Sequence, residues 1–344
     1  MDFELDETQR EISRLAADVL GRESDTPWKA MGEAGLLALA VPERLGGDGL
    51  GVLETAVLLT EVGRRAVDVP ALATLALGVL PIVRYGTPEQ QDELLPLVVE
   101  QHGVLTAALS EPSLPLPAEP GTTARWDGAG VVVSGEKINV PHATAAQLIL
   151  VSATLEGRPV VVVVDPVADG VSTSDGRVRL DEAPGQVLGV GDGAAEGTRQ
   201  PAPQGSAADG IRRLALAGAC AVGDGVLAGA LDLTVKHVGT RHQFGKPLST
   251  FQSAACQVAD VYIAARTLHL AALTACWSLD DNDLGTAAYW LAAEALPAVH
   301  TCHHLHGGLG LDITYPMHRY YGMAKELTRF VGGVEHRLGA IDVH

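Results

Sequence analysis

Two hydrophobic periods occupy separate stretches of this chain, and their order limits what it can fold into. In the first hundred residues apolar side chains recur at three and four positions, in Ile12, Leu15, Ala16 and Leu20 and again in Leu53, Val57 and Leu58, which is a helical pattern. Between 104 and 195 the text changes to short β-branched runs at 131–133, 148–151 and 160–164, the last two joined by a polar turn at Glu156-Gly157; these predict a small sheet. From Ile211 the helical period returns, predicting one helix over about 212–239 and another over about 284–305. Helices, then strands, then helices is a segregated order, unlike the alternation that builds a parallel doubly wound sheet. The expected fold class is therefore α+β, with an N-terminal helical domain over 1–103, a middle β domain over 104–205 and a C-terminal helical domain over 206–344.

Local signals refine this outline. The run EGTRQPAPQGSAADG at 196–210 has no period and is predicted to be a mobile loop. The glycine-rich GGDGLG at 46–51 lacks a preceding strand, so it reads as a loop between helices and not as a dinucleotide fingerprint. Gly218, Gly223, Gly225 and Gly229 lie on an alanine-rich helix and predict close helix packing, in the core or at an oligomer interface.

At 344 residues and 47% hydrophobic, the chain can bury two or three cores. Its formal net charge of −18, with 24 basic residues that form no run, argues against nucleic acid as a partner. Its apolar stretches read as too short and too often broken by charge for a span of ~20 residues. The acidic start MDFELDETQRE is unlike a signal peptide. Cys220, Cys256, Cys276 and Cys302 are widely spaced in apolar helical text, which predicts buried, reduced thiols in a cytoplasmic protein.

Several separate motifs carry a family resemblance over nearly the whole length. Val41-Pro42-Glu43 with Gly46-Gly47 and Gly49 is similar to a P-E-x-x-G-G-x-G loop, and Gly86-Thr87-Pro88-Glu89-Gln90-Gln91 to a G-T-x-x-Q-(Q/K) helix start. Arg241-His242-Gln243-Phe244-Gly245-Lys246-Pro247, with Phe251-Gln252, resembles the more specific R-x-x-F-G segment that ends in F-Q. Gly307-Gly308-Leu309-Gly310, Tyr315-Pro316, Arg319-Tyr320 and Ala324-Lys325 complete the set. Together they resemble the acyl-CoA dehydrogenase family. That resemblance implies a C-terminal four-helix bundle that assembles the oligomer, FAD as cofactor, an acyl-CoA substrate, and an electron-transfer flavoprotein or similar acceptor.

The family's reaction needs a carboxylate to take the proton next to the thioester while flavin N5 takes a hydride from the next carbon. In one branch the base is the Glu of an E-G-(T/S) motif six residues after the lysine of A-K, and the corresponding residues here are Val331-Gly332-Gly333. In another branch it lies 26 residues before the arginine of R-x-x-F-G, and counting back from Arg241 reaches Ala215. Neither side chain accepts a proton, so no catalytic residue is assigned. The T-E-P-x-A-G-S-D segment appears as Ser110-Glu111-Pro112-Ser113-Leu114-Pro115-Leu116-Pro117, and the W-(I/V)-(T/S)-N stretch as Asn139-Val140-Pro141-His142 after Gly135-Glu136-Lys137. The chain's own flavin pocket therefore reads as degraded.

What survives are the residues that family members lend to a neighbour's flavin. The resemblance implies that Arg241 forks onto the cofactor pyrophosphate and that Gly307 and Gly308 admit close backbone approach. Phe244, Gly245 and Gln252 belong to the same segment, and His304 stands where a glutamine is usual. Such a split implies one half of an α2β2 heterotetramer, with a homologous catalytic subunit holding the substrate. Closest in appearance is the base-less subunit of actinobacterial heterotetramers acting on steroid side-chain CoA thioesters, a resemblance carried by 42–49, 244–252 and 302–308. Two alternatives stay open: a self-sufficient homo-oligomeric dehydrogenase using Glu111, Glu326 or Glu335, and a scaffold subunit that has lost flavin. The histidines His300, His303, His304 and His306 lack an HExxH pattern and are read as capping and interface groups, with no metal assigned.

Overall fold

The computed structural model describes residues 4–22, 24–128, 130–190 and 206–341. Helices α1 (Glu7–Leu20), α2 (Pro27–Glu33), α3 (Val52–Arg65), α4 (Leu80–Tyr85), α5 (Pro88–Leu94) and α6 (Pro96–Val99) precede the strands, with a π-helical segment at Leu72–Val79 leading into α4. Strands β1 (Leu105–Ala108), β2 (Thr123–Asp127), β3 (Gly130–Ile138), β4 (Leu148–Leu155), β5 (Arg158–Val164), β6 (Val171–Ser174) and β7 (Arg177–Val187) follow. After them come α7 (Ala207–Thr240), a hairpin of β8 (His242–Gln243) and β9 (Lys246–Pro247), α8 (Gln252–Ser278), α9 (Asp281–His306), α10 (Met317–Phe330) and the short α11 (Gly333–Ala340). The segregated α+β order expected from the sequence is the one observed.

The middle sheet is larger than the three expected strands. Its strands run β1-β4-β2-β3-β7-β5, with β6 beside β7, and pairing of β4 with β5 closes the path into a barrel. Closure satisfies the edge groups that an open sheet would expose. Alternate residues Ile149, Val151, Ala153 and Leu155 of β4 and Val160, Val162 and Val164 of β5 fill its core. The turn at Glu156 and Gly157 holds both residues at positive φ (51° and 77°), the two-residue hairpin geometry that suits β twist.

The backbone divides into two compact units: one made of the residues up to 23, Ala56–Val69 and Leu216 onward, the other of Ser24–Thr55 and Pro70–Ala215. In the second, the motif at 86–91 has a structural task. Thr87 and Gln90 form a capping box at α5. Gln90 Nε2 also donates to the Val187 carbonyl at 2.9 Å, while Oε1 accepts from the Gly189 amide at 2.9 Å. The 42–49 segment folds on itself: Gly46 ends a 3-10 turn at φ 83°, and a Cβ on Gly47 would strike the carbonyls of Val41 and Ala38.

In the first unit the glycines of α7 act as expected in the core. A Cβ at Gly225 would land on the Thr60 carbonyl, one at Gly229 on the Arg64 carbonyl and one at Gly223 on Leu291, while from the α3 side Gly63 faces the Val222 carbonyl. At Gly63, Gly225 and Gly229 backbone therefore packs on backbone where a side chain would intrude.

Four expectations need correction. The helix predicted from 212 begins at Ala207, because Ser206 caps it by accepting from the Asp209 amide at 3.0 Å; the loop expected over 196–210 otherwise lies outside the described residues. A helix of span length is present: α7 is long and apolar enough to cross a membrane, but 89% of its apolar window is buried inside the fold, as in the core helix of a globular protein. Leu15, assigned to the apolar face of α1, is 40% exposed, whereas Ile12, Ala16 and Leu20 are buried. Cys256 is exposed on α8, and only Cys220, Cys276 and Cys302 are buried.

Candidate functional site

All seven residues expected to meet a cofactor fall in the first compact unit, at the ends of α7 and α9. The Arg241 amide donates to the His237 carbonyl at 2.8 Å and its carbonyl accepts from the Leu248 amide at 2.8 Å, so both backbone groups are fixed where the helix stops. The chain then turns through Phe244 (φ 51°) and Gly245 (φ 80°), a hairpin turn in which both central residues are left-handed. Phe244 bears that strain while 93% exposed. Its ring stands edge-on to Phe251 at 6.3 Å, and Lys246 Nζ lies 4.3 Å from the Phe251 ring. Gln252 opens α8 on the surface. Arg241 is exposed and makes no ion pair among the described residues, so its planar cation remains available to an anion.

The second group begins where α9 ends. Gly307 has φ 57° and ψ −135°, a conformation essentially restricted to glycine. A Cβ on Gly307 or Gly308 would meet nothing within 4 Å, so the backbone here borders open space. His304 is exposed one turn earlier. Leu311 and Ile313 beyond the turn are 78% and 77% exposed.

One contact that the sequence did not suggest ties the two groups together. His237, one turn before Arg241, stacks on His306, immediately before Gly307, with centroids 4.5 Å apart and planes 25° apart. An exposed guanidinium and an accessible glycine backbone on two helix ends joined this way suit the phosphate and adenosine end of a dinucleotide cofactor. They supply no aromatic or hydroxyl clamp for a flavin ring.

The positions that would hold the ring and the base lie elsewhere and are filled differently. Val140, in the segment replacing W-(I/V)-(T/S)-N, is 1% exposed and belongs to the barrel core. Glu111 is buried and committed: it accepts from Lys137 Nζ at 2.8 Å, Thr122 Oγ1 at 2.7 Å and the amides of Gly121 and Thr122 at 2.8 Å each. Burial pushes its carboxyl up, but Lys137 and Thr122 outweigh that effect and hold it at about 2, far too acidic for a base near neutral pH. Val331 is fully buried, and its carbonyl accepts from the buried Arg337 guanidinium; Ala215 is fully buried too. Glu326 on α10 and Glu335 in the first turn of α11 are exposed surface carboxylates.

The clustered histidines split between different partners. His300 bonds Tyr321 at 3.1 Å and stacks on it, His303 leans on the same ring at 6.4 Å, and His306 turns to His237. Among the described residues no three metal-ligating side chains converge.

Comparison with known proteins agrees with the motifs. Residues 6–102 match the acyl-CoA dehydrogenase N-terminal domain and residues 210–341 its C-terminal domain. The chain is 46% identical to acyl-CoA dehydrogenase FadE28 of Mycobacterium tuberculosis, over 98% of this chain and 97% of that one. Among solved structures it resembles a variant of the Tcur3481-Tcur3483 steroid ACAD, with TM-score 0.87, 35% identity and 97% and 96% of the two chains covered. It also resembles the ChsE4-ChsE5 complex from Mycobacterium tuberculosis, with TM-score 0.87, 29% identity and 99% and 98% covered. The chain belongs to the acyl-CoA dehydrogenase family, whose cofactor is FAD.

Proposed function

We propose that this chain is the base-less subunit of an α2β2 acyl-CoA dehydrogenase that introduces an α,β double bond into a steroid side-chain CoA thioester. The observation that carries the reading is the pair of hydrocarbon side chains at both base positions, Val331 and Ala215, each fully buried. Glu111 is locked in an ion pair and Glu326 and Glu335 face solvent, which speaks against each of the three carboxylates weighed for a self-sufficient enzyme. The retained Arg241 and Gly307-Gly308 speak against a scaffold that has abandoned flavin. The steroid substrate and the heteromeric assembly are supported by likeness to FadE28, the steroid ACAD and the ChsE4-ChsE5 complex.

In this reading Arg241 holds the cofactor pyrophosphate of the homologous partner, with Phe244, Gly245 and Gln252 shaping the approach and His304, Gly307 and Gly308 lining the adenosine end. FAD, when bound, supplies the hydride acceptor. The partner's carboxylate takes the α proton, and the electrons leave to an electron-transfer flavoprotein or similar acceptor. The complex works in the cytoplasm. The test is a set of three neutralised complexes assayed with steroid side-chain and straight-chain CoA thioesters. Replacing the partner's candidate base by its amide abolishes turnover, whereas Glu326→Gln and Glu335→Gln in this chain leave it within about twofold. Loss of turnover in either of the latter, with the tetramer intact, refutes the assignment, and faster turnover of straight-chain thioesters refutes the substrate class.

A further inference from the structure

We propose that the stacked His237–His306 pair is a positioning element for the cofactor-facing corner, fixing the last turn of α7 with Arg241 against the last turn of α9 with Gly307-Gly308. The inference rests on the reading that this corner meets a partner's FAD. His306 is 4% exposed, and its Nδ1 sits 2.7 Å from the Cys302 carbonyl. A carbonyl only accepts, so Nδ1 carries the proton, which fixes both the ring plane and the tautomer. Nε2 is buried and meets no partner in good hydrogen-bond geometry, although the Leu233 backbone also acts on the ring.

Tyr315 covers another side of the His306 ring, with centroids 5.2 Å apart. His237 is half-buried and stacks from the end of α7. Burial, then the neighbouring His306 and Arg241, keeps His237 below the ordinary histidine value. Burial likewise keeps His306 low; its bond to Cys302 opposes this and nearby His303 adds to it. Two neutral rings stack without repulsion, so the pair supplies geometry while Arg241 supplies charge. A cation on a flexible stem grips a pyrophosphate only when its helix end is held in register with the opposing backbone.

The experiment uses the complex co-purified with its partner and measures the flavin dissociation rate from recovered flavin fluorescence, beside native mass and thermal midpoint. Arg241→Ala tests the underlying reading. His237→Ala removes the stack, and His237→Phe restores a ring without the imidazole nitrogens. The expected result is faster release for Arg241→Ala, release faster by roughly three- to tenfold for His237→Ala, and near wild-type release for His237→Phe, all with the tetramer intact. If Arg241→Ala releases flavin while His237→Ala does not, the positioning role is wrong and the cofactor reading stands. If His237→Phe fails to rescue, the stack is not the cause. If Arg241→Ala changes nothing, the cofactor reading falls and takes this inference with it.

Discussion

Replacing Lys137 with Met probes the polar centre of the barrel. Lys137 is fully buried, with Nζ 2.8 Å from Glu111 Oε1 and 3.0 Å from Ser152 Oγ. Burial brings its ammonium down to about 8 despite Glu111, whereas the Glu111 carboxyl is held at about 2. Both shifts are downward, which favours the charged carboxylate and disfavours the charged ammonium, so the desolvation cost at lysine offsets most of what the carboxylate gains. The intact pair therefore contributes little net, but removing one partner strands the other. Loss of one member of a buried pair costs about 3–5 kcal/mol. Three hydrogen bonds from Gly121 and Thr122 remain on Glu111, so Lys137→Met should fall at the low end, about 3 kcal/mol. The double variant Lys137→Met with Glu111→Gln should recover to within about 1 kcal/mol of wild type. Hydrogen exchange of the β3 and β4 amides reads both out locally. A single variant that costs under about 1 kcal/mol, or a double variant no better than the single, would refute the reasoning.

Other expectations follow from the same structure. The depressed Glu111 value contributes stability that is lost as pH falls from 4.5 to about 2, so Glu111→Gln should flatten the acid limb of stability against pH. His306 and His237 also have lowered values; the unfolded chain takes their protons first, so stability falls as pH drops below about 6.5, and His306→Phe should reduce that loss in thermal midpoints. Gly225→Ala drives a Cβ into the Thr60 carbonyl and to 2.7 Å from the Arg64 amide; it should cost about 3 kcal/mol or more in urea unfolding, and a neutral result would mean that α3 and α7 can part. Val331→Glu forces a carboxylate into a fully buried position and should lower stability by about 3 kcal/mol without giving the lone chain turnover.

The long helices α7 and α9 were legible because their apolar residues recur at helical spacing over many turns, whereas α8, similar in length to α9, was not singled out. Strand β7 was not, since Pro184 and the positive φ of Glu182 interrupt its alternation and its pairing with β3 passes a bulge near Gly135. The early start of α7 was readable in principle from Ser206 and Asp209, an S-x-x-D cap that the surrounding small residues obscured. Cys256 and Leu15 were misplaced because apolar composition was read as burial, a one-way rule. At the site, the motif residues were visible one by one in the sequence. The His237–His306 stack was not, because it joins residues far apart in the chain.

The most direct measurement is flavin content with native mass, on the chain alone and on the chain co-expressed with its homologous partner. A split site predicts little or no flavin on the chain alone and a tetramer carrying about one flavin per two chains with the partner. A yellow homotetramer with about one flavin per chain and turnover of its own would contradict it.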